Sequence, residues 1–371
     1  MTSAPDRQQM FAGTEPPPAH LQLDLDRLRA YLAPQIDGLD GPLEAVKFKG
    51  GQSNPTYRLT GPGATYVLRR KPPGTLVASA HAIDREYRVL AAMRTAAIPA
   101  PRPFLYCTDE SVIGSEFYIA EHVEGRVYWD ADLPDVDPVD RAALYADMAR
   151  ILANTHALDP EAIGLGDLAP LGDYLQRNFA RWSRNYAVSR LVDIPDMDWL
   201  LANVPDRLPT GAPAAFIHGD FGLYNIIADP DAPRARAVLD WEMATIGDPL
   251  VDLAHHLRAW WEPPCSSGAA TSLRGLDLAA LAIPSAQDHV AAYCVQRGIA
   301  VPDLTPYVGY AQFRYAAMIQ GILKRARDGT ASARATLHRQ ERVVEIARLA
   351  RRTFEEGWQP ARLRSPEGLQ T

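Results

Sequence analysis

The sequence predicts an α+β fold of two lobes: a small lobe of antiparallel strands with one helix, and a larger, mostly helical lobe. Two observations carry this prediction. The chain has 371 residues, a length that suits two lobes better than one compact unit. Its apolar residues first form short strand-like runs and then, from residue 140 onward, recur at helical spacing. The boundaries implied are an arm at 1–20, a small lobe at 21–122 and a large lobe at 123–371.

Residues 1–20 are polar and rich in proline, so we expect a disordered or loosely docked arm. A short helix is expected at 21–32. A second helix is expected within 80–94, where Ile83, Tyr87 and Leu90 recur at helical spacing. Five strand-like runs are punctuated by glycine, proline and asparagine and are expected to form the antiparallel sheet: 45–49, 56–60, 65–70, 103–107 and 116–122.

The second part of the chain has helical periodicity. Apolar residues from Leu144 to Leu152 line one face of a helix that we expect to run from 140 to about Leu158, and several amphipathic segments follow. Three short apolar runs interrupt this pattern and predict strands that carry active-site loops: 215–218, 226–228 and 237–239.

Composition excludes several classes of protein. The cysteines, Cys107, Cys265 and Cys294, are far apart, which argues against a disulfide framework and a zinc ribbon. A signal peptide and a run of about 20 apolar residues are both absent, so we expect a cytoplasmic protein that does not enter membranes. The net charge of −7 divides into −12 before residue 271 and +5 after it, and an overall acidic chain is a poor general binder of nucleic acid.

The stretch from His218 to Asn225 reads His-Gly-Asp-Phe-Gly-Leu-Tyr-Asn, which has the His-x-Asp-x-x-x-x-Asn spacing of a kinase catalytic loop. This spacing lets a carboxylate meet an acceptor hydroxyl while an amide oxygen reaches a metal ion on the nucleotide phosphates. Phosphoryl transfer to a hydroxyl is therefore the leading hypothesis. Asp220 is the candidate base, Asn225 is a candidate magnesium ligand, and His218 is expected to be a structural histidine bonded to backbone.

A second acidic residue follows at a suitable place. Asp240 lies fifteen residues after Asn225, at the end of the apolar run Val238-Leu239, where a kinase places the aspartate that chelates magnesium. We therefore expect Asp240 to be the second metal ligand.

A glycine-rich turn with Gly50, Gly51, Ser53 and Asn54 separates two strand-like runs. Such a turn can bring backbone N–H groups close to a triphosphate, although paired glycines are also common in ordinary hairpins.

Strand alternation puts Arg69 on the same face as Val67, just as the lysine shares a face with the alanine in the kinase Val-Ala-Ile-Lys strand. Glu86 follows on the next predicted helix. An Arg69–Glu86 pair would hold the α- and β-phosphates. The alternative is that Arg69 is an ordinary surface residue and that Glu86 balances Arg85 and Arg88.

These residues resemble the aminoglycoside phosphotransferase and choline kinase superfamily, within the protein-kinase-like fold, over nearly the whole chain after the arm. The most specific stretches are 218–225, 239–242, 246–249 and 252–254. Stretches 51–54, 68–74, 80–87 and 177–186 look like the subgroup whose members also occur fused to acyl-CoA dehydrogenases.

The resemblance implies ATP and Mg²⁺ as cofactors. It also implies that Glu121, His122 and Val123 form an interlobe hinge that holds adenine through backbone groups, and that residues 252–254 buttress the catalytic loop. The chain departs from the family where the phosphate-contacting lysine is expected, because Arg69, Arg70 and Lys71 stand there and the register is open.

We therefore expect a monomeric or homodimeric phosphotransferase that acts on the hydroxyl of a small molecule, with a hydroxyacyl-CoA or an aminoglycoside-like compound as acceptor. The alternative is a pseudokinase that binds nucleotide as a regulatory or interaction module.

Overall fold

A computed structural model of the chain describes residues 7–50, 54–72, 83–168, 172–264, 272–328 and 339–359. Its first lobe is an antiparallel sheet of β1 (Thr14–Glu15), β2 (Glu44–Phe48), β3 (Thr56–Thr60), β4 (Thr65–Arg70), β5 (Pro103–Cys107) and β6 (Phe117–Glu121). The strands lie in the order β1-β2-β3-β4-β6-β5. Helix α1 (Arg7–Phe11) precedes β1, and α2 (Leu25–Leu32) lies between β1 and β2. Helix α3 (Ile83–Thr95) is inserted between β4 and β5.

Strand alternation gives the sheet two different faces. Leu68 pairs with Ile119, and both pack with Leu28 and Leu32 of α2 in a small apolar core. The next pair along the strands, Arg69 with Tyr118, points to the opposite face, toward α3. Alternation thus turns Arg69 away from the apolar core of its own lobe and toward the cleft.

Helix α2 begins later than expected. The side chain of Asp24 accepts a hydrogen bond from the backbone N–H of Arg27 at 3.0 Å, which caps the helix and sets its start at Leu25. Residues 19–21 form a separate 3-10 turn.

The second lobe is mostly helical and contains the larger apolar core. Helix α10 packs against α5, α7 and α11, and α4 packs against α9. In the part of the chain that is described, none of the helices combines the length and the apolarity needed to cross a bilayer. The helices are α4 (Pro138–His156), α5 (Tyr174–Ser189), α6 (Pro195–Asn203), α7 (Pro249–His256), α8 (Arg258–Trp261), α9 (Ala286–Arg297), α10 (Thr305–Arg327) and α11 (Gln340–Glu356).

Short strands in the second lobe carry the loops of the site. They are β7 (Arg126–Val127), β8 (Ala215–Ile217), β9 (Ile226–Ala228), β10 (Ala235–Val238) and β11 (Thr245–Gly247). Strand β8 pairs with β11, and β9 lies between β7 and β10. The predicted α+β class, with an antiparallel small lobe and a helical large lobe, is confirmed. Strands β1, β7 and β11 were not predicted, and β1 lies within the arm that was expected to be disordered or loosely docked.

Candidate active site

A cavity of about 460 Å³ lies where the sheet meets the second lobe. The sheet lobe contributes Arg69 from β4 and Glu86 from α3, and the second lobe contributes Asn225 and Asp240. Gly50 and the predicted hinge residues Glu121, His122 and Val123 also line it. This cavity therefore brings together most of the residues that the sequence assigned to nucleotide and metal.

The loop from His218 to Asn225 connects β8 to β9 and is held by Asp252 of α7. One carboxylate oxygen of Asp252 accepts the backbone N–H of His218 at 2.7 Å, and the other accepts that of Gly219 at 2.9 Å. His156 contacts the same carboxylate at 3.1 Å. Burial would raise the pKa of Asp252, but the His156 and backbone contacts outweigh it and lower that pKa to about 2. Asp252, within the expected buttress at 252–254, is therefore an ionised carboxylate that supports the catalytic loop by accepting two of its backbone N–H groups.

His218 has a structural role, as the sequence predicted. Its side chain is fully buried, and its Nε2 contacts the carbonyl oxygen of Leu239 at 3.0 Å. Its Nδ1 accepts the backbone N–H of Asp220 at 3.2 Å. The imidazole thus ties the catalytic loop to the strand end that carries Asp240.

Gly219 allows the loop to turn at this point. Its φ is +83°, and a Cβ added there would lie 2.6 Å from the carbonyl oxygen of Met243. Both the left-handed conformation and the backbone contact require glycine.

The two carboxylate oxygens of Asp220 differ in their contacts, because Oδ1 has two short contacts and Oδ2 has one longer contact. Its Oδ1 accepts a hydrogen bond from the Tyr224 hydroxyl at 2.8 Å and contacts His255 Nε2 at 2.8 Å. Its Oδ2 accepts a longer hydrogen bond from the Asn225 amide at 3.4 Å. The side chain is 33% exposed, so the second oxygen can meet an acceptor hydroxyl.

The surroundings keep Asp220 ionised and His255 neutral. Burial would raise the pKa of Asp220, but contacts from His255 and Tyr224 and the charge of Arg258 hold it well below its usual range. Burial lowers the pKa of His255, although Asp220 opposes this. A neutral His255 that donates Nε2–H to Asp220 is consistent with both directions.

Arg69 is 7% exposed and lies among three carboxylates. Its Nε is 2.8 Å from Glu86 Oε2, an ion pair whose direction does not meet hydrogen-bond geometry. Its Nη2 donates to Asp240 Oδ1 at 2.7 Å and to Glu242 Oε2 at 3.2 Å. Burial raises the pKa of Glu86, and the Arg69 guanidinium opposes that rise. A lysine could not span these three acceptors, because it lacks the guanidinium fork.

The partners of Arg69, Arg70 and Lys71 show which of these three side chains faces the cavity. Arg70 donates to the Ser115 hydroxyl at 2.9 Å, and Lys71 pairs with Glu116 at 2.7 Å. Neither side chain lines the described part of the cavity, whereas Arg69 does.

Asp240 has a left-handed backbone, with φ 63° and ψ 58°. Such strain in a residue other than glycine is uncommon and concentrates at functional sites. The backbone N–H of Leu239 donates to the carbonyl of Asn225 at 2.8 Å, which fixes the two candidate metal ligands side by side. The Nδ2 of Asn225 donates to the Asp220 carbonyl at 2.9 Å. An amide and a carboxylate on one cavity are oxygen ligands of the kind that Mg²⁺ prefers.

Some predicted residues lie elsewhere. Asn54 is fully buried, donates to Glu242 Oε2 at 3.3 Å, and does not line the described part of the cavity. It therefore supports the carboxylate next to Arg69 rather than forming the cavity wall. Gly51 and Ser53 lie outside the described residues.

Sequence reasoning missed Tyr224 and His255 as partners of Asp220. His255 lies three residues after Asp252 on α7, a spacing that places two side chains on one helix face. That spacing was a usable signal once Asp252 was assigned to the loop. The contact of Tyr224 had no signal of its own, because tyrosine within a loop is compatible with many packings.

A smaller cavity of about 40 Å³ adjoins the first, because Trp129 and Tyr224 line both. Apart from Arg258, His255 and His256, its described lining is apolar or aromatic and contains no carboxylate. The Arg258 guanidinium lies 5.1 Å from the ring centres of both Tyr224 and Tyr315. This second cavity is therefore small and has one cationic side chain, Arg258, in its described lining, which also pairs with Glu262 at 3.5 Å.

Residues 44–284 match the model of the phosphotransferase enzyme family, and the chain belongs to that family. A candidate aminoglycoside phosphotransferase from Ralstonia eutropha is 39% identical in sequence, with a TM-score of 0.81 over 91% of this chain and 100% of that one. An aminoglycoside phosphotransferase variant in a ternary complex with ADP and hygromycin B is 17% identical, with a TM-score of 0.54 over 82% of this chain and 94% of that one, and shows the shared fold alone.

Among curated proteins, acyl-CoA dehydrogenase family member 11 from Homo sapiens is 38% identical over 322 residues. The match covers 83% of this chain and 40% of that protein. The chain thus spans less than half the length of this relative. The resemblance to the subgroup that occurs fused to acyl-CoA dehydrogenases is confirmed.

Proposed function

We propose that this protein is an ATP- and Mg²⁺-dependent phosphotransferase that transfers the γ-phosphate to a hydroxyl group of a small molecule. The observation that carries this proposal is Asp220, an ionised carboxylate held firmly through Oδ1 and only weakly through Oδ2, beside a cavity lined by Arg69, Asn225 and Asp240. The family match and the relative that binds ADP support nucleotide as the donor.

Each residue has a defined task in this proposal. Asp220 Oδ2 accepts the proton of the acceptor hydroxyl and holds its oxygen in line with the phosphate, while His255 and Tyr224 fix the carboxylate through Oδ1. Asn225 and Asp240 would hold the metal. When bound there, Mg²⁺ would neutralise negative charge on the phosphates.

Arg69 would contact the α- and β-phosphates while Glu86 holds its position. Asp240 and Arg69 lie 2.7 Å apart in this structure. With nucleotide bound, Asp240 would also contact the metal, and Arg69 would also contact the phosphates. The hinge residues Glu121, His122 and Val123 would hold adenine through their backbone groups.

The second cavity favours a neutral or anionic acceptor over a polycation. Arg258 stands at its edge, and the carboxylates that an aminoglycoside requires do not occur in its described lining. A volume of about 40 Å³ corresponds to roughly three water-sized positions, which admits a slender hydroxyl-bearing chain. Of the two acceptors expected from the sequence, these features support a hydroxyacyl-CoA rather than an aminoglycoside-like compound.

The test is Mg²⁺-dependent ADP release from ATP across hydroxyacyl-CoAs, aminoglycosides, choline and sugars. We expect release with a hydroxyacyl-CoA, and we expect Asp220→Ala to reduce it by roughly 100- to 10,000-fold, the usual contribution of a positioned base. The exposed Asp193→Ala is the matched control and should retain full turnover. Nucleotide binding without transfer to any acceptor would instead support the pseudokinase, and normal turnover by Asp220→Ala would remove Asp220 from the mechanism.

A further inference from the structure

Residues 7–15, which we call the strap, lie along one side of the nucleotide cavity. The strap consists of α1, a short turn and β1. Four of its residues, Gln8, Phe11, Ala12 and Gly13, line the same cavity as Arg69 and Asp240. The catalytic residues are all on other parts of the chain, so the strap is an additional wall of the site.

The strap is attached to the sheet at one end. Strand β1 pairs with β2, with Thr14 opposite Phe48 and Glu15 opposite Lys47. The backbone N–H of Lys49 donates to the Gly13 carbonyl at 3.1 Å, next to the Gly50 turn. These bonds join the strap to the sheet lobe beside the expected phosphate-binding turn.

At its other end the strap is attached to the second lobe through Gln8. The side-chain amide of Gln8 donates to the carbonyl of Val127 at 2.9 Å, and its oxygen accepts the backbone N–H of Trp129 at 3.4 Å. One amide group thus satisfies a backbone acceptor and a backbone donor on the segment that follows the hinge. Gln8 therefore fixes the position of α1 against residues 127–129 through two hydrogen bonds.

Phe11 adds an apolar contact at the same place. Its side chain is 6% exposed, and its ring centre lies 5.0 Å from that of Trp129 at an angle of 50°. Trp129 lines both the nucleotide cavity and the smaller second cavity. Phe11 therefore packs against a residue that lines both cavities.

The geometry points to Gln8 and Phe11 as nucleotide-positioning residues, with the strap as the wall that must separate from Val127 and Trp129 before nucleotide is released. The inference rests on the proposed nucleotide binding. A strap bonded to both lobes restricts the cavity on that side, and the Gln8 bonds and the Phe11–Trp129 contact both join it to residues 127–129. Loss of either contact should speed release and weaken binding.

The experiment uses the full chain and a fluorescent N-methylanthraniloyl analogue of ATP with Mg²⁺, whose displacement by unlabelled ATP is followed by stopped flow. The variants are Phe11→Ala, Gln8→Ala and Gln8→Glu, where Gln8→Glu keeps the acceptor for the Trp129 N–H but sets a carboxylate against the Val127 carbonyl. Met10→Ala is the control, because Met10 is exposed on the same helix. Thermal unfolding without nucleotide reports whether each variant is folded.

We expect release to accelerate by about tenfold in Phe11→Ala and severalfold in both Gln8 variants, with matching increases in Kd and no change in Met10→Ala. Folded Phe11→Ala and Gln8→Ala proteins with the release rate of the unsubstituted chain would overturn the role of the strap and leave the proposed function standing. An unsubstituted chain that does not bind the analogue would overturn the proposed function itself.

Discussion

Asp252→Asn tests whether the catalytic loop depends on one buried carboxylate. The two backbone donors of the loop approach different oxygens, His218 N–H at 2.7 Å and Gly219 N–H at 2.9 Å. Whichever way an asparagine amide is placed, one of these donors meets an NH₂ group instead of an acceptor. We expect the free energy of unfolding at pH 7 to fall by about 1 to 3 kcal/mol, the usual cost of leaving a buried donor without an acceptor.

The pH dependence provides an independent check of the same argument. The pKa of Asp252 is lowered to about 2 in the folded protein by His156 and the backbone donors, against burial. Because the folded pKa is depressed, its stabilisation is present above the unfolded pKa of about 3.9 and is lost as pH falls through about 2. The stability difference between the native chain and Asp252→Asn should stay constant from pH 5 to 8 and narrow below pH 4.

The assay is urea unfolding followed by tryptophan fluorescence at several pH values, with the exposed Asp231→Asn as the matched control. The control should unfold like the native chain at each pH. An Asp252→Asn protein as stable as the native chain at pH 7 would refute the reasoning, as would a difference that stays unchanged down to pH 3.

Two further substitutions test neighbouring features. Burial raises the pKa of Asp248 to about 6, so its ionisation destabilises the fold as pH rises from about 4 through 6. Asp248→Asn keeps an oxygen for the N-cap bond and should be more stable than the native chain by about 3 kcal/mol at pH 8 and by only about 1 kcal/mol at pH 4.5, as measured by urea unfolding; equal curves at pH 8 would contradict this. Gly219→Ala places a Cβ 2.6 Å from the Met243 carbonyl, whereas Gly211→Ala has a similar positive φ and open space. Thermal denaturation should show a much larger loss for Gly219→Ala, and equal losses would mean that the contact does not matter.

Local patterns were sufficient for much of the small lobe and the catalytic loop. The strands at 56–60 and 65–70 agree with the structure because alternation and flanking turn residues are local signals. The assignments of Asp220, Asn225 and Asp240 to one site followed from spacing along the chain, and the structure places Asn225 and Asp240 on one cavity beside Asp220. Their chemical roles stay predictions.

Contacts between distant segments could not be predicted in the same way. The sequence left open which of Arg69, Arg70 and Lys71 faces the phosphates. Glu86, one partner of Arg69, lies on α3, and the partners of Arg70 and Lys71 lie in the turn before β6. Asn54 was assigned to nucleotide because it follows a glycine turn, but its amide points to Glu242, 188 residues away. Such pairings depend on how the lobes pack, which has no period along the chain.

By itself, the sequence determined the α+β class, the main strands of the small lobe with their inserted helix, and the residue types available for phosphoryl transfer, because these follow from periodicity and spacing within short segments. Only the tertiary structure decided that His255 and Tyr224 hold one oxygen of Asp220, that Arg69 lies among three carboxylates, and that residues 7–15 wall the cavity. Apart from the Tyr224–Asp220 contact within one loop, each of these joins segments far apart in the chain, and its geometry is fixed by burial and packing rather than by local preference.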